Sequence, residues 1–353
     1  MGNFIEVLTD QNLLSAVFST VVVVLVSFYL RRKNILKEES KTVISKIILT
    51  LALPSLAFDA FMSDFNSKEA SSAYQVLGLG ICFYLFLIII ISLIFKYCFK
   101  NISKEKKDVY KIVIIFGNVT FFTFPILSDI YGHSIEIPSQ MMILAFRLFL
   151  YSYAFFVLAG IKMDYHNLKK SLKKIVLNPI VIATVLGMLI WSLQGSLPQV
   201  NVNGVNYCVF RLDKSIPFLY APVEYLAKMC TPLSWILIGV TIGESSFRSA
   251  FTNKTAWVLS VCRGVLVPLV MLAIVILLQI LGVTHLTKYG FMSAVLMMAS
   301  PLSIVVNTYS VSFKREEYLV SDCAFLTTLM GIITLPLMIV FVDLLSDISL
   351  FVY

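Results

Sequence analysis

Gly117-Asn118-Val119-Thr120-Phe121-Phe122-Thr123-Phe124-Pro125 lies inside one apolar stretch of the sequence, and Ala299-Ser300-Pro301-Leu302-Ser303-Ile304-Val305-Val306-Asn307 lies inside another. Both set a proline and polar side chains in surroundings otherwise suited to hydrocarbon. Proline removes a backbone donor and clashes with the preceding turn, so carbonyls and amides beside it lose their helical partners. In a bilayer such groups are costly, and unwound backbone is tolerated only where it is buried in protein or lines a wet cavity. Each stretch is open to two readings, a kink in a continuous helix or a break. The matched pair favours breaks, expected near 121–125 and 300–305.

Outward from these stretches the chain is composed for a membrane. Of its 353 residues 59% are hydrophobic and 14% charged, against roughly 25% charged in an ordinary soluble domain. Residues 11–30, 70–95, 175–198 and 289–313 contain no Asp, Glu, Lys or Arg, long enough to span. Ten spans are predicted, at about 11–30, 43–62, 73–96, 110–131, 138–161, 175–194, 217–243, 254–281, 288–312 and 319–342. Pro54, Pro268 and Pro336 read as kinks.

The net charge of +8 does not point to nucleic acid, because Lys and Arg are scattered through short loops rather than gathered on one face. The loops after spans one, three, five, seven and nine hold 20 of them: Arg31, Arg32, Lys33, Lys37 and Lys41, then Lys96, Lys100, Lys104, Lys106, Lys107 and Lys111, then Lys162, Lys169, Lys170, Lys173 and Lys174, then Arg248 and Lys254, then Lys314 and Arg315. The opposite loops hold only the 4 residues Lys68, Arg211, Lys214 and Lys288. That bias predicts a multi-pass plasma-membrane protein with both termini outside. Residues 1–10 carry no basic residue ahead of the first apolar run, so no signal peptide is expected. Glu6 stands where a myristoylation signal would need Ser or Thr.

The six cysteines show no paired spacing and the three histidines form no ligand motif, so neither a disulfide framework nor a metal or other cofactor is expected. An intramembrane enzyme would need a zinc motif, a serine with a base or an aspartate pair within spans, and the sequence has none. In the long external loop between Gly195 and Pro217, residues 200–207 alternate about Asn203-Gly204. A two-residue hairpin and an irregular loop are both open there.

Ten spans divide into halves at 1–174 and 175–353, and an odd number per half makes the second enter from the opposite face. The fourth span of each half carries the proline-interrupted stretch, the sequence pointer to a secondary transporter's binding site. The expected fold is an all-α polytopic membrane protein of ten transmembrane helices in two inverted five-helix repeats, with scaffold and transport parts interleaved.

Gly117-Asn118 with Pro125 and Tyr131-Gly132, Asn178-Pro179 with Leu186-Gly187, Pro232 with Ile238-Gly239, Arg263 with Pro268, Pro301, and Thr327-Thr328 with Pro336 follow an order and spacing. That order resembles helices four and six to ten of the auxin efflux carrier family, which includes plant auxin exporters and bacterial malate permease-like proteins. The resemblance implies broken helices four and nine crossing in a transport domain, a fold shared with bile-acid/sodium symporters and related to sodium/proton antiporters. It also implies small organic anions, such as malate or an auxin-like acid, as solutes moved by alternating access.

At the crossing, Asn118, Thr120, Thr123, Pro125, Ser300, Pro301, Ser303 and Asn307 are the candidate solute-binding residues. Arg147, mid-way along span five with Tyr151 and Ser152 one turn on, either grips a carboxylate through two parallel hydrogen bonds or pairs with Asp59 or a carbonyl. Asp59 either carries a coupling proton or snorkels outward with Asp64. Arg263 reads as structural, reaching toward the cytoplasmic interface, and Glu224 with Lys228 as a mutual pair. Asp322 is ambiguous. Residues 299–306 hold no carboxylate or amide side chain, so sodium-independent transport is expected, driven by protons or by the solute's own gradient. A sodium-coupled organic-anion symporter is the alternative, and a receptor or scaffold without transport is the reading from another class. The partners expected are the solute, the lipid bilayer and, in a homodimer, a second copy.

Overall fold

Runs of Leu, Ile, Val and Phe without charge satisfy their backbone in a membrane only by coiling, and in the computed structural model nearly all of them are helical. The structure describes residues 11–346 except 162–168, 170–171, 174 and 245–246. Residues 1–10, and Lys162, Lys170 and Lys174 of the fifth loop, lie outside the described residues.

The helices are α1 (Gln11–Arg32), α2 (Glu39–Asp59), α3 (Ser67–Tyr97), α4 (Lys104–Ile115), α5 (Val119–Tyr131), α6 (His133–Ala159), α7 (Pro179–Leu193), α8 (Leu212–Ser215), α9 (Pro217–Gly243), α10 (Phe247–Thr252), α11 (Lys254–Ile280), α12 (Lys288–Met298), α13 (Ile304–Ser312) and α14 (Glu317–Ser346). Among the described residues, the six helices α2, α3, α6, α9, α11 and α14 are long and apolar enough to cross a membrane. Phe18 on α1, Ile89 on α3, Leu277 on α11 and Leu337 on α14 are more than half exposed, as side chains facing lipid would be.

Caps explain where the helices outrun the expected spans. The Asn66 side chain accepts from Lys68 N–H and starts α3 at Ser67, ahead of residue 73, and Ser103 accepts from Lys106 N–H to start α4 at Lys104. These polar first turns lie beyond the apolar windows that marked the spans.

Three prolines follow wide, π-type turns: 48–52 before Pro54, 119–123 before Pro125 and 262–266 before Pro268. A wide turn absorbs both the ring and the missing donor, so the chain stays helical past each proline. This corrects the expected position of the first break. Residues 121–125 are helical, and the interruption falls earlier, at 116–118 between α4 and α5. In the second stretch Pro301 lies in the gap itself, between the end of α12 at Met298 and the start of α13 at Ile304.

Both gaps lie in the interior. Every residue of α12 from Gly290 to Met298 is buried, as is every residue from Ile112 to Leu127, so the unwound backbone meets protein rather than lipid. At the far end, β1 (Gln199–Val202) and β2 (Val205–Cys208) form an antiparallel hairpin. Its turn puts Asn203 at φ 53° and Gly204 at φ 86°, the left-handed pair that a two-residue turn requires. Arg211, 2% exposed, ties this loop down by donating to Asp213, to Asp64 just past α2 and to Gln194 past α7. Burial works against its charge, and the two carboxylates more than offset it, so its pKa lies above the ordinary arginine value.

Candidate functional site

The two gaps are joined by backbone. Gly117 and Leu302 form an antiparallel bridge, Asn118 N–H donates to Pro301 O at 2.6 Å, and Ser303 N–H donates to Phe116 O at 3.1 Å. Leu302 N–H donates to Thr327 Oγ1 of α14 at 2.9 Å. Donors orphaned by the two breaks thus satisfy each other or a neighbouring side chain, as buried backbone requires. Residue 117 must be glycine, because a Cβ there would collide with Ser300 Oγ and Arg263 Nη2.

Arg263 fills the space that Gly117 leaves open. Its Nε donates to Ser300 O at 3.1 Å, Nη1 to Ile114 O at 3.3 Å and Ile115 O at 3.0 Å, and Nη2 to Met298 O at 2.8 Å and Ser300 Oγ at 2.9 Å. All five guanidinium donors are used. The acceptors include the last carbonyls of α4 and of α12, so one cation offsets the negative ends of two helix dipoles. Sequence reasoning gave Arg263 only a structural reach toward the interface. The signal available was a charge five residues before Pro268, inside the wide turn that turns it inward.

The helix starts on the other side of the junction are bare. Neither Asn118 ahead of α5 nor Ser303 ahead of α13 caps its helix with a side-chain hydrogen bond, although both residue types are strong N-caps. The side chains of Asn118, Thr120 and Ser303 form no hydrogen bond among the described residues. Thr123 Oγ1 and Asn307 Oδ1 are buried and have no partner there either. Two helix N-termini with free amides concentrate partial positive charge, the standard setting for an anion.

Arg147 is the second guanidinium of the interior. It is 2% exposed, and among the described residues it has neither a hydrogen bond nor an ion pair. Its neighbour in sequence, Phe146, sets its ring 6.2 Å from that of Phe116 at the end of α4, and its electrostatic neighbours are Tyr151 and Cys230. Thr231, adjacent to Cys230, donates to Pro125 O at 3.4 Å, which brings α9 against α5.

A family profile described as membrane transport protein, the auxin efflux carrier-like family, matches residues 12–339. The chain belongs to this family. It is a multi-pass membrane transporter and not an enzyme. No curated protein matches the sequence.

In this transporter Asp59 does not reach Arg147. It accepts from Tyr220 OH and stands with His133 and Glu136, in a group that shares no residue with the junction. Ser152 is not available as a donor to a ligand, since its Oγ donates to Leu148 O within α6. Lys228 donates to Glu224 at 2.6 Å, as the four-residue spacing implied. Asp322 resolves to a structural role, its Oδ2 accepting from Ser249 Oγ at 3.1 Å and Asn253 Nδ2 at 2.9 Å and so tying α14 to the start of α11.

Proposed function

We propose that this transporter moves a small organic anion, a carboxylate such as malate or an auxin-like acid, across the plasma membrane by alternating access. The observation that carries the reading is Arg147, a guanidinium buried without a partner among the described residues, in an interior that also holds two uncapped helix starts. A lone buried charge is costly, and a carboxylate bridging its fork and the free amides of α5 and α13 would relieve both deficits. Asn118, Thr120, Ser303, Asn307 and Tyr151 are the side chains that complete such a site, with Thr123, Pro125, Ser300 and Pro301 shaping the backbone around it. In this reading α4 with α5 is the fourth and α12 with α13 the ninth of ten transmembrane helices. They cross as equivalent members of two inverted five-helix repeats, 1–174 and 175–353, and both termini are outside.

Sodium is not part of the cycle. A sodium ion needs several oxygen ligands, yet the carbonyls of Ile114, Ile115, Met298 and Ser300 already accept from Arg263. Protons or the solute's own electrochemical gradient supply the driving force. The test is uptake of labelled carboxylates into proteoliposomes with ion gradients imposed in turn. Saturable uptake indifferent to sodium at fixed pH and voltage is expected. Stimulation by sodium would favour a sodium symporter, and failure of every carboxylate would refute the anion reading. Orientation has its own check: a cysteine at Lys106 should resist membrane-impermeant reagent added to intact cells, and labelling from outside would invert the topology.

A further inference from the structure

At the end of the molecule that carries the hairpin, a second polar group lies outside the junction. Asp59 closes α2, and His133 and Glu136 sit three apart in the first turn of α6, hence on one face. One ligand atom of each lies within 4.8 Å of those of the other two. They line a cavity of about 340 Å³ together with Ser128, Asp129 and Thr231. A second cavity of about 530 Å³ also opens on Asp59 and His133.

Three features separate this group from a chance meeting of acids. Glu136 is 4% exposed, and its Oε2 is buried with no hydrogen bond, its polar neighbour being His133 Nδ1 at 2.9 Å. Each carboxylate is steered by a hydroxyl on one oxygen: Ser128 Oγ donates to Glu136 Oε1, and Tyr220 OH donates to Asp59 Oδ1. Such outer partners orient ligating carboxylates in metal sites. The charge balance is also negative. Asp129 adds to it, Arg211 is occupied by Asp64 and Asp213, and Lys228 on the rim is held by Glu224.

We propose that Asp59, His133 and Glu136 bind a divalent first-row cation, Zn²⁺ or Mn²⁺, which ties the end of α2 to the start of α6. One imidazole nitrogen and two carboxylate oxygens suit these ions better than Ca²⁺, which prefers six to eight oxygen ligands. The remaining coordination positions are left to water from the cavity. The site is independent of the anion reading, since none of its residues is shared with the junction.

The test uses the full-length protein in detergent, stripped with a chelator and titrated calorimetrically with ZnCl₂, MnCl₂ and CaCl₂. One saturable zinc or manganese site per chain is expected, with calcium at least tenfold weaker, and zinc should raise the melting temperature by mass action. Glu136→Gln and Asp59→Asn keep shape and remove a ligand charge, and each should weaken zinc binding at least tenfold. Glu105→Gln, a carboxylate that lines neither cavity and pairs with Arg315, should leave it unchanged. Should the buried variants not fold, His133→Gln decides, because the His133 side chain is 56% exposed and its loss leaves the fold intact. Absence of saturable binding, calcium binding as tight as zinc, or zinc affinity unchanged in His133→Gln would overturn the proposal.

Discussion

Arg263 and Arg147 are guanidiniums buried in one helical interior, and their surroundings are opposite. Arg263 donates all five of its N–H groups, to the ends of α4 and α12 and to Ser300 in the gap, whereas the Arg147 side chain has no hydrogen bond or ion pair among the described residues. Burial of a charge is expensive in both places. At Arg263 the cost is offset within the fold, because the breaks leave carbonyls that need a donor as much as the cation needs acceptors. At Arg147 no hydrogen bond or ion pair offsets it among the described residues, and in the proposed reading a solute is its counter-ion. The comparison separates a charge whose hydrogen bonds join the two gaps from one that, in the proposed reading, is left for a ligand.

The largest expected effect follows from removing the saturated arginine. Arg263→Ala leaves four buried carbonyls without their donor, at about 1–3 kcal/mol each where water cannot reach them. Unfolding in detergent should shift by more than about 3 kcal/mol, and a variant as stable as the parent would mean the clamp is idle. Gly117→Ala comes next. Its methyl enters the space of Arg263 Nη2 and Ser300 Oγ, at about 1–3 kcal/mol for overpacking. The two changes should not add: in an Arg263→Ala background only Ser300 Oγ still opposes the methyl, so a double-mutant cycle that shows strict additivity would contradict the contact. The smallest effect is expected at Thr327→Val, which deprives Leu302 N–H of its acceptor. It should cost about 1 kcal/mol, and Thr327→Ser should restore the stability.

The membrane class and most helix positions were legible because hydrocarbon leaves a strong mark: charge-free runs, and most Lys and Arg gathered in loops. The hairpin was half legible through Asn203-Gly204, whose left-handed angles no local pattern could guarantee. The first break was misplaced by several residues, since proline marks where a helix is stressed while the wide turn at 119–123 absorbs the stress. What ends α4 is instead the pairing of Gly117 with Leu302, a contact between residues 185 apart in sequence that no local reading contains. The same distance hid the role of Arg263, whose acceptors lie 35 or more positions away along the chain. Asp59, His133 and Glu136 were likewise invisible as a group, because helical spacing relates only the last two.

The central claim, that Arg147 is kept without a partner in order to bind an anion, is tested most directly by equilibrium binding of a labelled carboxylate that the wild type transports. Arg147→Gln should fold at least as well as the parent, since it removes an uncompensated buried charge. It should bind the carboxylate about 10–100-fold more weakly, as loss of a charge-assisted hydrogen bond of about 1.5–3 kcal/mol implies. Arg147→Lys, which keeps the charge and loses the planar fork, should fall between the two. A well-folded Arg147→Gln protein that binds the carboxylate as tightly as the wild type would contradict the account.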